Sequence, residues 1–382
     1  MSRGVGLSGA RRGRASSVER KPFDWAFFVG AVLLACFGVI NLYSATSVSK
    51  GALTEVYLQQ VYWFVVGAIL ASVVTVIDYR YLERFGYLIY GGGMTLLVSV
   101  FAFGRDIRGS ARWIHFGGAS FQPSELTKLC LIIAIAKALH HDPPPQDGRR
   151  LTDLWRPAVL VLVPFVLIYK QPDLGTALIH VFIFSSICLM TAVRWQSLVA
   201  LAASVSVAIP LLWFTVLHDY QKDRVRTFLD PEANLSGAGW HAHHARIAIG
   251  NGGPLGQGFM RGTQNQYLFL PEQHSDFPFA VFAEDWGFVG GTVLIALYTF
   301  LVLWCLHVAS NAKERFGAVL AVGVGALVFW HAFFNLGMVT GILPVVGITL
   351  PLFSAGGSSV MTILMGLGLV MNVSMRRHGR VS

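Results

Sequence analysis

Ten apolar runs, each long enough to cross a bilayer, divide this chain near residues 24–44, 57–77, 85–103, 122–139, 156–171, 173–193, 197–217, 277–306, 316–338 and 359–375. A crossing helix needs roughly 17–25 residues, and in hydrocarbon only a helix or a closed barrel satisfies its own backbone polar groups. The spacing predicts an all-α polytopic integral membrane protein with about ten transmembrane helices. Only Pro172 and Asp173 separate the fifth run from the sixth. Composition excludes the soluble alternative: 54% hydrophobic against 13% charged residues leaves too little polar surface to coat two or three water-soluble domains. The formal charge of +9 does not point to nucleic acid, because basic excess in such a chain marks cytoplasmic loops and lipid headgroups.

The first apolar run follows a tail carrying Arg3, Arg11, Arg12, Arg14, Arg20 and Lys21. Its apolar stretch exceeds a secretory signal core and no small-x-small cleavage site follows, so an uncleaved first span is expected. With that tail inside, 18 of the 29 Lys and Arg fall on cytoplasmic segments, which predicts both termini in the cytoplasm. The expected organisation is a flexible basic tail over 1–22, one membrane domain over 23–376 and a short tail over 377–382. Within the domain, residues 218–277 form one large extracytoplasmic loop whose aromatic and aliphatic content argues for order. The cytoplasmic stretch Asp142 to Gly148, with three prolines, is expected to be flexible. Cys36, Cys130, Cys188 and Cys305 lie in apolar runs without ligand spacing and read as reduced packing residues. Gly91 to Gly93, Gly287, Gly290 and Gly291 read as helix-packing contacts.

The unusual polar residues gather at the outer ends of the inward-running spans. Gln122-Pro123-Ser124-Glu125 and Gln171-Pro172-Asp173 echo one another: a proline suits a first helical turn, and a carboxylate follows where the helix dipole favours negative charge. A third such end is Pro271-Glu272-Gln273-His274-Ser275-Asp276. Glu125, Asp173 and Asp276 are therefore expected at similar depth on one side. Lys128, three residues after Glu125, shares its helix face. Intramembrane ionisable groups are costly unless paired or hydrated and mark functional sites. The basic partners available outside are Arg105, Arg108 and Arg112 before the fourth span, Lys170 before the sixth, and Lys222, Arg224, Arg226, Arg246 and Arg261 in the long loop, a set suited to an anionic ligand. Each acid can equally be a helix cap, and Glu125–Lys128 a buried strut. His241, His243 and His244 lack a regular ligand spacing, so no metal site is assigned. The loop glycines match neither a Walker nor a dinucleotide motif. An outward-facing site has no access to cytoplasmic nucleotides, so a synthetic reaction there needs a substrate carrying its own activation, such as a lipid-linked pyrophosphate.

The chain resembles the SEDS family (shape, elongation, division, sporulation), and within it the RodA-like elongation branch rather than the division paralogues. The resemblance runs from the first span to the last through Asn41-Leu42-Tyr43-Ser44-Ala45, Gly109-Ser110-Ala111-Arg112-Trp113-Ile114, Gln122 to Lys128, Lys170 to Ala177, Arg224 to Pro231, Gly262-Thr263-Gln264, Pro271 to Phe277, Gly341 to Gly347 and Gly356-Gly357-Ser358-Ser359. It implies a peptidoglycan glycosyltransferase of the bacterial inner membrane. Such an enzyme polymerises lipid II onto an undecaprenyl-linked nascent glycan, with a class B penicillin-binding protein and the elongation machinery as partners and no nucleic acid. Two departures occur. Ala355 stands where the family often has Tyr, and His243-His244-Ala245-Arg246 replaces a Gln-Ser-Lys-type run.

On that resemblance Asp276 is the expected catalytic residue, and Arg112, Glu125, Lys128 and Asp173 match functionally required positions. Arg224, Arg226, Gln264 and Glu272 are further substrate-contacting or structural candidates. Asp276 would act as general base on the GlcNAc 4-hydroxyl, since a carboxylate at a partly apolar boundary is a stronger base than one in bulk water. Arg112, Lys128, Arg224 and Arg226 would stabilise the departing undecaprenyl pyrophosphate, and a divalent cation, Mg or Mn, could share that role. Two rival classes remain open: a lipid II flippase using the same ionisable groups, and a scaffold for the penicillin-binding protein. The apolar cytoplasmic halves of the spans, Leu129 to Ala136, Val181 to Met190 and Val293 to Trp304, count against a through-path.

Overall fold

In a computed structural model, the structure describes residues 23–47, 55–107, 110–116, 119–191, 193–215, 219–230, 238–267, 269–270 and 273–376. The terminal tails 1–22 and 377–382 lie outside these. The helices are α1 Trp25–Thr46, α2 Val56–Val76, α3 Tyr79–Phe103, α4 Pro123–His141, α5 Trp155–Lys170, α6 Leu174–Met190, α7 Trp195–Thr215, α8 Asp219–Leu229, α9 Ala238–Gly252, α10 Thr263–Gln266, α11 Pro278–Ser310, α12 Arg315–Thr340 and α13 Gly357–Arg376. The ten predicted runs correspond to α1 through α7 and α11 through α13. Seven of these meet length and hydropathy limits for crossing a membrane, α5 being counted from the preceding turn at Leu151. Helix α6 is shorter, at 17 residues, and α4 carries Glu125, Lys128 and Lys137. The long loop is built from α8, α9 and α10.

One small sheet interrupts the helices. Strands β1 Arg105–Ile107, β2 Ser110–Phe116 and β3 Ala119–Phe121 form an antiparallel meander between α3 and α4, and β2 carries Arg112. Helices α4, α12 and α13 form the centre: α12 packs on α4, α6, α11 and α13. Small residues permit the close approach. A Cβ at Gly323 would lie 2.5 Å from Ile132, and one at Gly368 would lie 2.7 Å from the carbonyl of Ala71. Gly93 meets Cys130 in the same way, whereas Gly91 and Gly92 have nothing within 4 Å and are exposed, so the packing expected of the triplet falls on one glycine.

Gly287 is not a helix-packing contact. It breaks α11 with φ 66, because a Cβ there would lie 2.2 Å from the backbone nitrogen of Gly256. The loop backbone replaces the helix's own hydrogen bonds across the break. Phe288 N donates to Gly253 O (2.8 Å) and Val289 N to Pro254 O (3.1 Å), while Gln257 N and Gly258 N donate to the carbonyls of Glu284 and Asp285. Irregular backbone in such a span is tolerated where protein supplies the partners the helix has lost. The stretch 142–148 is also held. Arg149, 1% exposed, folds back on the Asp142 carboxylate at 2.8 Å, and Arg194 Nε donates to Gly148 O.

Candidate active site

Pro123 occupies the first turn of α4 as predicted, which leaves Glu125 and Lys128 on one face directed into the protein. Lys128 is 0% and Glu125 6% exposed, and their side chains meet at 2.5 Å. Lys128 Nζ also lies 2.8 Å from His331 Nε2 on α12. On the neighbouring face Thr127 meets His180 Nε2 at 3.1 Å.

The second echo folds differently. Pro172 sits in the turn before α6 rather than in its first helical turn, and Asp173 is the N-cap, accepting from Thr176 N at 3.2 Å. Asp173 Oδ2 also accepts from Gln122 Nε2 at 3.2 Å and lies 3.7 Å from the Arg112 guanidinium. Arg112 Nε donates to Gln171 O at 3.0 Å and Nη2 donates to Pro172 O. The β-meander thus clips onto the α5–α6 turn through one arginine.

Asp276 precedes α11, whose own proline in the first turn is Pro278. Pro271 and Glu272 lie outside the described residues. Unlike Glu125 and Asp173, Asp276 is only half-buried. Its carbonyl accepts from Asn335 Nδ2 at 3.0 Å, and its Oδ2 would lie 3.6 Å from a Cβ on Gly347, which adopts φ 76. The neighbouring His274 carbonyl accepts from Ala355 N at 2.8 Å, so the departure at Ala355 is a backbone contact to the Asp276 segment.

Arg224 donates from Nη1 to the carbonyls of Val345 (3.3 Å) and Val346 (3.1 Å), one residue from Gly347. With Arg246, Thr227, Met338 and Leu343 it lines a shallow cleft. Arg226 instead pairs with Asp223 on the exposed side of α8. Gln264 is buried in the loop, where its Oε1 meets His244 Nδ1 at 2.8 Å and its backbone N donates to Glu284 at 3.0 Å. His244 stacks on Phe269. Among the described residues no three His, Cys, Asp or Glu side chains converge as a cation cage.

Sequence reasoning missed a second set of residues. Ser44 Oγ donates to Asp285 Oδ2 at 2.5 Å, Asn41 Nδ2 to Pro278 O at 2.9 Å, Asn265 Nδ2 to Ser44 O at 2.8 Å and Gln273 Nε2 to Ala45 O at 2.6 Å. The C-terminal end of α1 is thereby a latch for both the loop and the start of α11. On α12, His331 and Asn335 were passed over as well. The signal was present: each is a polar residue within an apolar run, which in a membrane needs a partner.

The fold and site define a multi-span membrane protein with a polar centre built where α4, α6, α11 and α12 meet. The sequence matches the family model of FtsW, RodA and SpoVE cell cycle proteins over residues 24–379, and the chain belongs to that family. The peptidoglycan glycosyltransferase MrdB of Escherichia coli K12 is 40% identical, covering 81% of this chain and 83% of MrdB. The peptidoglycan glycosyltransferase RodA of Treponema pallidum is 31% identical, covering 93% and 98%. Among solved structures, a peptidoglycan synthase complex that coordinates polymerisation and crosslinking aligns with TM-score 0.80 and 31% identity, covering 94% of this chain and 99% of that one. The RodA of Thermus thermophilus aligns with TM-score 0.70 and 29% identity, covering 94% and 99%.

Proposed function

We propose that this chain is a peptidoglycan glycosyltransferase of the bacterial cytoplasmic membrane, with both termini inside, that polymerises lipid II at an outward-facing site centred on Asp276. The observation that carries the site assignment is a difference among the three outer carboxylates. Glu125 and Asp173 are each 6% exposed, whereas Asp276 is half-buried on a clamped backbone. A general base must come within hydrogen-bond reach of the proton it takes, and partial exposure gives Asp276 access that the other two lack.

In this reading Asp276 takes the proton of the GlcNAc 4-hydroxyl as that oxygen attacks the anomeric carbon of the growing glycan. The bond from that carbon to undecaprenyl pyrophosphate breaks with inversion, and a β-1,4 linkage results. Arg224 and Arg246, which line one cleft with Val345, and Arg112 stabilise the pyrophosphate that leaves. Lys128 acts from beneath: a wholly buried ammonium works through Glu125 and His331, not by touching a glycolipid. A class B penicillin-binding protein is the proposed partner, and elongation the proposed process. The solved synthase complex and the RodA relatives support both assignments.

The test is polymerisation of purified lipid II in liposomes, with and without the penicillin-binding protein, by wild type and Asp276→Ala. Glycan strands from wild type and none from folded Asp276→Ala are expected. Strands from the variant at the wild-type rate would overturn the assignment. Movement of labelled lipid II across the bilayer without strands would replace the transferase reading with transport.

A further inference from the structure

Helix α12 is apolar between Arg315 and Thr340 except for Trp330, His331 and Asn335. The last two are four residues apart, hence on one face, and both are buried, at 1% and 0% exposure. His331 Nδ1 lies 3.1 Å from Thr349 O. A carbonyl only accepts, so Nδ1 carries the hydrogen. Nε2 then presents its lone pair to Lys128 Nζ at 2.8 Å, a group that only donates. Both neighbours therefore select the same neutral tautomer.

Asn335 spends its amide on two carbonyls at once, Asp276 O at 3.0 Å and Ile348 O at 2.7 Å. One helix face thus grips two consecutive carbonyls, Ile348 and Thr349, of the segment whose Gly347 backs the Asp276 carboxylate. The same face holds the Lys128–Glu125 pair on one side and the Asp276 backbone on the other. The segment also joins α13, since Thr349 Oγ1 meets Ser359 Oγ at 3.0 Å.

We infer that His331 and Asn335 are positioning residues of the glycosyl transfer. They fix the Asp276 carboxylate relative to the buried Lys128–Glu125 pair by holding the 347–349 backbone between them. This rests on the reading of Asp276 as the general base. Neither residue touches substrate. Their effect is on where the carboxylate sits, and displacing a reacting group by about 1 Å costs on the order of 100-fold in rate. Such a role differs from general packing because it depends on the donor and acceptor pattern, not on side-chain volume.

The full-length protein in liposomes with lipid II tests this through four variants, each scored per folded molecule after size-exclusion and thermal unfolding. Asn335→Asp keeps the shape but turns a double donor towards two carbonyls into an acceptor; His331→Leu removes both hydrogen bonds. Each is expected to lower kcat about 10- to 100-fold while KM for lipid II stays within about twofold. His331→Gln offers an acceptor to Lys128 and a donor to Thr349 O, and should return kcat to within about threefold of wild type. Asp276→Ala is run beside them. If it is inactive while Asn335→Asp and His331→Leu turn over at the wild-type rate, the positioning role fails and the assignment of Asp276 stands. If Asp276→Ala is active, the assignment itself fails. Equal loss in His331→Leu and His331→Gln would also overturn the inference, because the hydrogen-bond pattern would then not matter. Should Asn335→Asp fail to fold, the comparison of Leu with Gln at 331 decides alone.

Discussion

Helices α2 and α12 are both apolar along their length, yet 11% of the crossing window is buried in α2 and 72% in α12. Hydropathy identifies both as spans and does not distinguish them. Their few polar and small residues do. The two buried residues of α2 are Gln60 and Gly67, and both face the helix and turn that start α13. Gln60 Nε2 donates to Ser354 O at 3.0 Å and its Oε1 accepts from Gly356 N at 3.2 Å. A Cβ on Gly67 would lie 2.6 Å from Leu364. On α2 the large side chains Leu58, Val61, Tyr62, Val65 and Ile69 are exposed. In a bilayer, apolar surface carries no information about which face is inside, because lipid is as apolar as leucine; small and polar residues mark the contact.

The largest expected effect is at the buried ion pair, where α4 and α12 meet. Lys128→Met leaves the Glu125 carboxylate without its counter-ion in the core, which should cost about 3–5 kcal/mol. The double variant Lys128→Met/Glu125→Gln should recover most of this, measured as the thermal midpoint in detergent. Polymerisation recovered along with stability would make the pair a strut; stability without polymerisation would give Lys128 a role in the reaction. No recovery at all would break the view that partnering, rather than charge itself, is what the buried face of α12 requires.

A glycine pair gives the next contrast. Gly287→Ala places a side chain at φ 66 and against the Gly256 backbone, where conformational strain alone is about 1–3 kcal/mol, and it should loosen the loop-to-α11 exchange of hydrogen bonds. Gly91→Ala adds a methyl where nothing lies within 4 Å and should be neutral or stabilising by up to about 1 kcal/mol through helix propensity. Equal responses in thermal unfolding would mean that the break in α11 is not held by its backbone. On α2, Gln60→Leu strands Ser354 O and Gly356 N and should cost about 1–3 kcal/mol, while Ile69→Val on the exposed face should be close to silent by the same measurement.

These contrasts also show how much was legible in the sequence. Ten spans follow from length and hydropathy, and they recur as ten helices because membrane burial allows the backbone little else. Glu125 and Lys128 were visible as a pair because three residues along a helix is a local relation. The partners across the bundle were not visible. That His331 lies beside Lys128, or Ser44 beside Asp285, depends on which faces meet, and sequence spacing carries no such information across 203 and 241 residues. Gly287 was misread for a related reason: a glycine in an apolar run signals close approach, but whether of a helix or of a loop is decided by the fold.

Arg224 and Arg226 set the smallest and sharpest test, since residue type and spacing treat them alike. Both are basic, two residues apart on α8, and both suit a pyrophosphate. Their surroundings separate them. Arg226 makes an i,i+3 pair with Asp223 in which the side chains are 65% and 58% exposed, a geometry worth at most about 1 kcal/mol. Arg224 reaches across to Val345 O and Val346 O beside Gly347 and lines the cleft with Arg246. Arg226→Gln should therefore leave thermal stability within about 0.5 kcal/mol and polymerisation within about twofold. Arg224→Gln should lower polymerisation by at least about tenfold, the order expected when a cation aimed at developing charge is removed. The same rate in both variants would place the leaving group elsewhere. A larger loss at Arg226 would mean that the substrate binds the outer face of α8, where exposure alone gives no sign of a site.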